Sequence, residues 1–345
     1  MQQEIRFATF NVCNLALPGV TFYDNLPPYT PEEFEAKLNW LARKIDEIDA
    51  DVIAFQEVFA QSALRDVLAR TSNYREAHHA GFDPDPTIEP LTPSVALVSR
   101  LPFAAAPASY HGLPPALLAS LAPQAAPLTR FTRPLLHVQV QLSEQVTANV
   151  LVVHLKSKRP DYLPGEDESD PALYDLASLR SLYRRGIEAV GLRHVIDGLL
   201  PADGAMPLIV MGDFNDIAES VTTQLVMGAG RPQPGMDSSG DRFGRRLFDS
   251  YRIQARRDCT RDVGYSHIHE GVFHTIDHVL VSKELHPGWP DAVGAVAEVA
   301  YANDHIHLNN PQASDHGAVL VRLVLRDGAG QAEEFVPLPW GETFP

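Results

Sequence analysis

Six places in this chain put a polar, chemically capable side chain at the end of, or inside, an apolar run. Asn11 follows IRFATF, Gln56 and Glu57 follow VIAF, and His154 sits in LVVHLK. Asp213 and Asn215 follow LIVMG, Asp277 and His278 interrupt TIDHVLV, and Ser314, Asp315 and His316 precede GAVLV. Strand ends lie at a sheet rim, where loops make clefts. Glu57, Asp315 and Asn11 supply the carboxylate and amide oxygens that a hard divalent cation takes. The expected cofactor is therefore Mg2+, with Mn2+ as the alternative. Phosphoryl transfer also needs a positioned water and compensation of charge on the phosphate oxygens. Asp213 can orient or deprotonate the water, and Asn215 can hold it or the phosphate. His154 and His316 can donate to phosphoryl oxygens, and Asp277 can fix the tautomer of a histidine. Each residue alone also reads as a cap, a turn or a structural ion pair. Asp277 is the hardest to read blandly, because an aspartate inside an apolar run is expensive to bury without a partner.

These residues need a scaffold, and the hydrophobic pattern describes one. Strands are expected at 5–12, 52–58, 94–100, 135–142, 147–156 and 207–213, and in VFHTIDHVLVS and HGAVLVRLVLR. Thr30, Pro31 and Glu33 form a capping-box start to a helix carrying Phe34, Leu38, Leu41, Ile45 and Ile48 at helical spacing. Further helices are expected at 60–70 and 175–200. Segments 101–134, 160–174 and 227–246 read as loops, and the tail 328–345 as an extension beyond one domain at 1–327. The class is mixed α/β.

Composition narrows the partners. Hydrophobic residues make up 45% of the 345 and charged residues 21%, as in a globular protein. No apolar run is long enough to span a bilayer, and the start MQQEIRFATFNV lacks signal-peptide character. Cys13 and Cys259 are the only cysteines, which fits reduced thiols in the cytoplasm. The net charge of −16 is the wrong sign for gripping a long polyanion. A small phosphorylated molecule or short nucleic acid is the expected partner, and long duplex DNA is disfavoured; oligomeric state is not readable.

The motifs FNV at 10–12, QE at 56–57, GDFN at 212–215, IDHVLVS at 276–282 and SDH at 314–316 resemble, in this order, the endonuclease/exonuclease/phosphatase superfamily. The resemblance spans nearly the whole chain. It implies a four-layer α/β sandwich, with two mixed sheets face to face and helices outside. It also implies Glu57 as principal metal ligand, Asn11 and Asp315 at the metal site, Asp213 and Asn215 on water and phosphate, and His316 as catalytic histidine oriented by Asp277. His154 resembles a mid-chain histidine of the deoxyribonuclease-like and phosphatase branches. Two departures argue against the abasic-site endonuclease branch: Cys13 stands where a metal-binding aspartate is expected, and His154 stands where an asparagine is expected.

The segment HLKSKRP at 154–160 adds Lys156 as a candidate phosphate contact, with Lys158, Arg159 and Arg180 reading more simply as surface. Arg100 reads as an exposed strand-end residue, and His78 and His79 as ordinary. The pairs His267/His269 and His305/His307 would each share a face if their segments are strands, and such pairs can bind zinc, but neither has a third ligand at a set spacing. The reading is hydrolysis of a phosphate ester, a diester being favoured, by in-line attack of an activated water. The alternatives are a phosphomonoesterase acting on an inositol or sugar phosphate, and a catalytically silent scaffold that binds phosphorylated ligands.

Overall fold

The computed structural model describes residues 3–22, 26–85, 87, 91–121, 128–200, 206–229, 244–255, 264–308 and 310–326. In chain order the strands are β1 Glu4–Leu15, β2 Val52–Val58, β3 His78–Gly81, β4 Ser94–Ser99, β5 Ala108–Gly112, β6 Arg130–Gln141 and β7 Thr147–His154. Then come β8 Leu208–Asp213, β9 Phe248–Asp249, β10 His267–His269, β11 Val272–His274, β12 Asp277–Val281, β13 Gly294–Ala302 and β14 Ala318–Leu325. The helices are α1 Pro31–Ile48, α2 Gln61–Leu68, α3 Pro115–Ser120, α4 Pro171–Leu199, α5 Val221–Met227 and α6 Ser250–Ile253. α1 starts on the expected capping box: the Thr30 hydroxyl accepts from Glu33 N at 3.2 Å, and the Glu33 carboxylate accepts from Thr30 N at 2.9 Å.

The strands form two mixed six-stranded sheets. Sheet one runs β13-β14-β1-β2-β4-β3 and sheet two runs β5-β6-β7-β8-β12-β9. Period-2 alternation splits each strand between two cores. Phe7, Val52, Leu97, Val138, Val150, Met211, Val279 and Val321 meet between the sheets. Phe10, Ile53 and Phe55 face α1 and α2, and Leu151, Val210 and Leu280 face α4 and α5. The order of layers is helix, sheet, sheet, helix: the four-layer α/β sandwich.

Several expectations are corrected. Segment 101–134 is not one loop, because it contains β5, α3 and the start of β6. The run VFHTIDHVLVS is two strands in different sheets: among the described residues β11 pairs with β10, while β12 lies against β8. His305 and His307 lie in a 3-10 turn, Asp304–Leu308, and so do not share a strand face. Asp304 beside them pairs with Lys44 at 2.9 Å. Arg100 is not exposed; it binds Asp49 and Asp51 at the end of sheet one away from the strand ends that carry Asn11 and Glu57. Cys259, most of 227–246 and the tail 328–345 lie outside the described residues.

Candidate active site

Strand direction gathers the chemistry at one rim. β1 and β2 are parallel, β7 and β8 are parallel, and β12 and β14 run the other way. The C-terminal ends of the first four therefore share an edge with the N-terminal ends of β12 and β14. Within sheet two, His154, Asp213 and Asp277 stand side by side in register. Alternation also aims them. Asn11 continues the row Ile5–Phe7–Thr9, His154 the row Val150–Val152, and Asp213 the row Ile209–Met211. Asp277 begins the row Val279–Val281. Each of these rows points between the sheets, so the site is the polar end of the inter-sheet core.

Glu57 breaks that rule. Strict alternation would place it with Ile53 and Phe55 on the helix side. Instead the β2 backbone bulges, and Glu57 takes a left-handed φ of 63°. Cys13, Asn14 and Asn215 share this unusual conformation, with φ of 51°, 60° and 54°. Among the described residues, four of the six non-glycine residues with positive φ thus sit at this rim, where strain redirects side chains. Gly212 is required beside them, because a Cβ there would collide with the Val153 carbonyl oxygen.

The geometry centres on Asp213. Its Oδ2 accepts from Asn11 Nδ2 at 3.1 Å and lies 3.4 Å from His154 Nε2 and 4.0 Å from His316 Nε2. Its Oδ1 accepts from Asn215 N at 2.7 Å, while Asn215 Nδ2 donates to the Leu155 carbonyl at 3.0 Å. Asn11 Nδ2 also reaches Glu57 Oε1 at 3.2 Å, and Glu57 Oε2 accepts from Asn14 N at 3.0 Å. His316 Nδ1 meets Asp277 Oδ2 at 2.8 Å. Ser314 locks the SDH segment to β1, donating to the Asn11 carbonyl at 2.6 Å and accepting from His316 N at 3.0 Å. Asp315 is next to these groups, with its side chain 63% exposed.

Burial and neighbours set the charges. Burial, reinforced by Asp277, pushes the Asp213 carboxyl up to about 7. Burial, with Arg133 and His316 nearby, holds His154 well below the usual imidazole range, so it is neutral near pH 7. Burial also acts downward on His316, but Asp277, Asp213 and Asp315 outweigh it and hold this imidazole well above its ordinary value. The two histidines are therefore different tools: one neutral, one cationic.

Among the described residues, no Lys or Arg forms an ion pair with Glu57, Asp213, Asp277 or Asp315, and Asp277 Oδ1 is buried without a hydrogen-bond partner. This oxygen-rich negative charge, which the His316 imidazolium offsets only in part, fits a hard divalent cation. Glu57 and Asp315 would hold it. Asn11 Oδ1 accepts from Cys13 N at 3.0 Å and keeps one lone pair for the same purpose.

Lys156 is not drawn into this cluster. Its buried ammonium donates to the Ser157 and Arg159 carbonyls and to Ser181 Oγ, bracing the loop after β7. Burial, together with Arg133, lowers its pKa to about 8. Lys158 pairs with Asp216, and Arg180 with Glu166. His305 supports the site from behind, its Nε2 lying 2.8 Å from the His316 carbonyl. His307 meets the Tyr265 hydroxyl at 2.7 Å.

Lys37 is the residue that sequence reasoning missed. It is 1% exposed on α1, with its ammonium 5.9 Å from the Tyr29 ring centre and no hydrogen bond or ion pair among the described residues. Burial lowers its pKa against the pull of Cys13, Glu57 and Asp315, the groups it faces. A readable signal existed: Lys37 interrupts the apolar stripe Phe34, Leu38, Leu41.

The family model described as "Endonuclease/Exonuclease/phosphatase family" matches residues 8–316. Among solved structures, the human Nocturnin catalytic domain with bound sulfate anion aligns with a TM-score of 0.55 at 15% identity, covering 94% of this chain and 98% of that one. An endonuclease/exonuclease/phosphatase from Bacteroides vulgatus aligns with a TM-score of 0.55 at 16% identity, covering 94% and 100%. Humanized D. rerio TDP2 aligns with a TM-score of 0.54 at 12% identity, covering 93% and 98%. At these identities the likeness concerns the fold. A search of curated protein sequences finds no match.

Proposed function

Since this chain belongs to the endonuclease/exonuclease/phosphatase family, whose members are generally divalent-metal-dependent phosphoester hydrolases, we propose that its rim cleft hydrolyses a phosphodiester in a small molecule or short nucleic acid. The carrying observation is the convergence on Asp213, where the two sheets deliver one amide and two imidazoles to a single buried carboxylate. Glu57, Asp315 and Asn11 hold the cation, Mg2+ or Mn2+, which when bound compensates charge on the phosphate oxygens. Asp213 accepts the proton of the attacking water, and Asn215 holds that water in line. His154, neutral and buried, donates one hydrogen bond to a phosphoryl oxygen. His316, held by Asp277, places a second donor on the phosphate as negative charge develops. A sulfate, a tetrahedral oxyanion like phosphate, is bound to the Nocturnin domain that shares this fold. The catalytic domain spans 1–327.

The charge of −16 favours a short substrate, since duplex binding rests on many Lys and Arg contacts to phosphates. No helix among the described residues is long and apolar enough to cross a membrane. The test uses metal-stripped protein on plasmid DNA, short single-stranded oligonucleotides, small diesters and monoesters, with and without added Mg2+. The expected result is turnover of short diesters only when the cation is restored. Full activity in excess chelator would overturn the reading. Plasmid cleavage that collapses with modest salt would overturn the preference for a short substrate.

A further inference from the structure

The pair His267/His269 lacked a third ligand in the sequence; the fold supplies two, and uses only one of the pair. Strand β10 docks on the start of β14: His267 forms a β-bridge with His316, and Gly317 N donates to the Ser266 carbonyl at 2.7 Å. The same segment braces Asp277, because Ser266 Oγ accepts from Asp277 N at 3.1 Å. This docking brings the His267 ring to 4.9 Å from the His316 ring, centre to centre, and His267 Nε2 to 3.9 Å from Asp315 Oδ2. One donor atom from each of His267, Asp315 and His316 lies within 4.8 Å of the others.

Resting on the hydrolytic reading above, we propose that His267, Asp315 and His316 form a separate binding mode for a nitrogen-preferring divalent cation such as Zn2+, and that its occupation switches the enzyme off. Three observations carry this. The donor set is two imidazoles and one carboxylate, which suits zinc and not magnesium. Nδ1 of His316 is engaged by Asp277, so a metal can take Nε2 once that nitrogen releases its proton to solvent, and a carboxylate behind a ligating imidazole is the usual support in zinc sites. Asp315 is open to solvent, so a fourth ligand can be water.

In a tetrahedral site, donors about 2.0–2.2 Å from zinc stand ~3.3–3.6 Å apart. The cluster must therefore tighten on binding: rotation of the exposed Asp315 carboxylate can shorten its 3.9 Å separation from His267 Nε2, and the two imidazoles must also approach each other. His269 is outside the cluster. Inhibition follows from sharing: the bound zinc would take Nε2 of His316 from the phosphate and Asp315 from the hard-cation set. Glu57 and Asn11 are not recruited, so the two binding modes differ in donors as well as in cation.

The test reads binding without turnover. Metal-stripped full-length protein is titrated with Zn2+ against a chromogenic chelator, and with Co2+ while following its visible absorption. The wild type is expected to take one Zn2+ at this site, and His267→Ala to weaken that site at least about 30-fold and to lose the intense low-symmetry Co2+ bands. In Mg2+-driven assays, micromolar Zn2+ should inhibit the wild type, with His267→Ala retaining its uninhibited rate and resisting Zn2+. That retained rate also shows that the variant folds. Equal Zn2+ affinity in wild type and His267→Ala overturns the site, and Zn2+ bound at His267 without inhibition overturns the switch. If no phosphate ester is turned over, the hydrolytic reading and the switch fall together, while the chelator and Co2+ titrations still decide whether the site exists.

Discussion

The two sheets bring different chemistry to one rim. Sheet one contributes Asn11, Glu57 and Asp315, the oxygen donors of the proposed cation site. Sheet two contributes His154, Asp213 and Asp277, groups that hold or move protons. They also reach the cleft by different means. The sheet-two residues follow plain strand alternation and are 2%, 1% and 0% exposed. On the sheet-one side, Glu57 needs a left-handed bulge, Asp315 precedes its strand, and Asp315 is open to water. Rigid burial tunes pKa values, whereas bulged and half-exposed positions let ligands adjust around an ion. His316 crosses between the two, leaving the start of β14 to pair with Asp277 of sheet two.

The hardest test of this division is Asp213→Asn. If sheet two handles the proton, turnover should fall on the order of 10³-fold, the scale of a positioned base, with metal affinity little changed. A comparable loss of metal affinity would merge the two sides. The pH profile sharpens the point. Asp213 must be ionised to accept a proton, and burial with Asp277 raises it to about 7, so activity at low metal should fall as pH drops below that value. A cation held by Glu57 and Asp315 favours the ionised form and should move this acid limb to lower pH. The stability sign is the opposite. In metal-free protein this group binds its proton more tightly folded than unfolded, so its contribution weakens as pH rises from about 4 towards about 7.

His316 tests whether the crossing residue belongs to sheet two. His316→Ala and Asp277→Ala should each cost about 10²-fold in turnover, and the double variant little more than either. Folding must be followed separately, since deleting one partner of a buried ion pair costs ~3–5 kcal/mol. Losses that multiply would mean that Asp277 does not act through His316. On the other side, Glu57→Gln should weaken Mg2+ binding by at least about tenfold, and saturating metal should restore part of the rate. A rate that metal cannot raise at all would remove Glu57 from the cation site.

How legible each side was in the sequence follows the same division. His154, Asp213 and Asp277 continue unbroken apolar rows, so period 2 assigns each to its row, and the packing of the sheets decides that these rows lie between them. For Glu57 the same rule gives the wrong face, because a bulge is a backbone event that leaves no periodic trace. The split of VFHTIDHVLVS was hidden for a related reason: both halves are apolar, and only the Thr275–Ile276 break separates the hairpin from β12. Lys156 stands two residues from His154, a spacing that suggests a phosphate contact, while its hydrogen bonds go to the Ser157 and Arg159 carbonyls and to Ser181 Oγ, which spacing cannot show. The contact of His267 with the site depends on long-range docking of a three-residue strand, which spacing cannot reveal.

Lys37 gives the smallest expected effect and the sharpest sign. It faces Cys13, Glu57 and Asp315 from beneath sheet one, without a hydrogen bond to any of them. An ammonium acting through space opposes a second cation; one that oriented Glu57 directly would instead favour it. Even with water-like screening, a unit charge ~8 Å from a dication contributes about 1 kcal/mol, or about fivefold in affinity. Lys37→Met keeps the shape of the buried side chain and removes only the charge. Mg2+ or Mn2+ binding, followed by calorimetry, should tighten by at least about fivefold, and the metal-free protein should melt no earlier, since burial outweighs the pull of the facing carboxylates on this ammonium. The gain in melting temperature on adding metal should therefore be larger than in the wild type. Weaker metal binding in Lys37→Met would mean that the lysine positions the ligands, and the cation site of sheet one would then depend on α1 as well as on the strand ends.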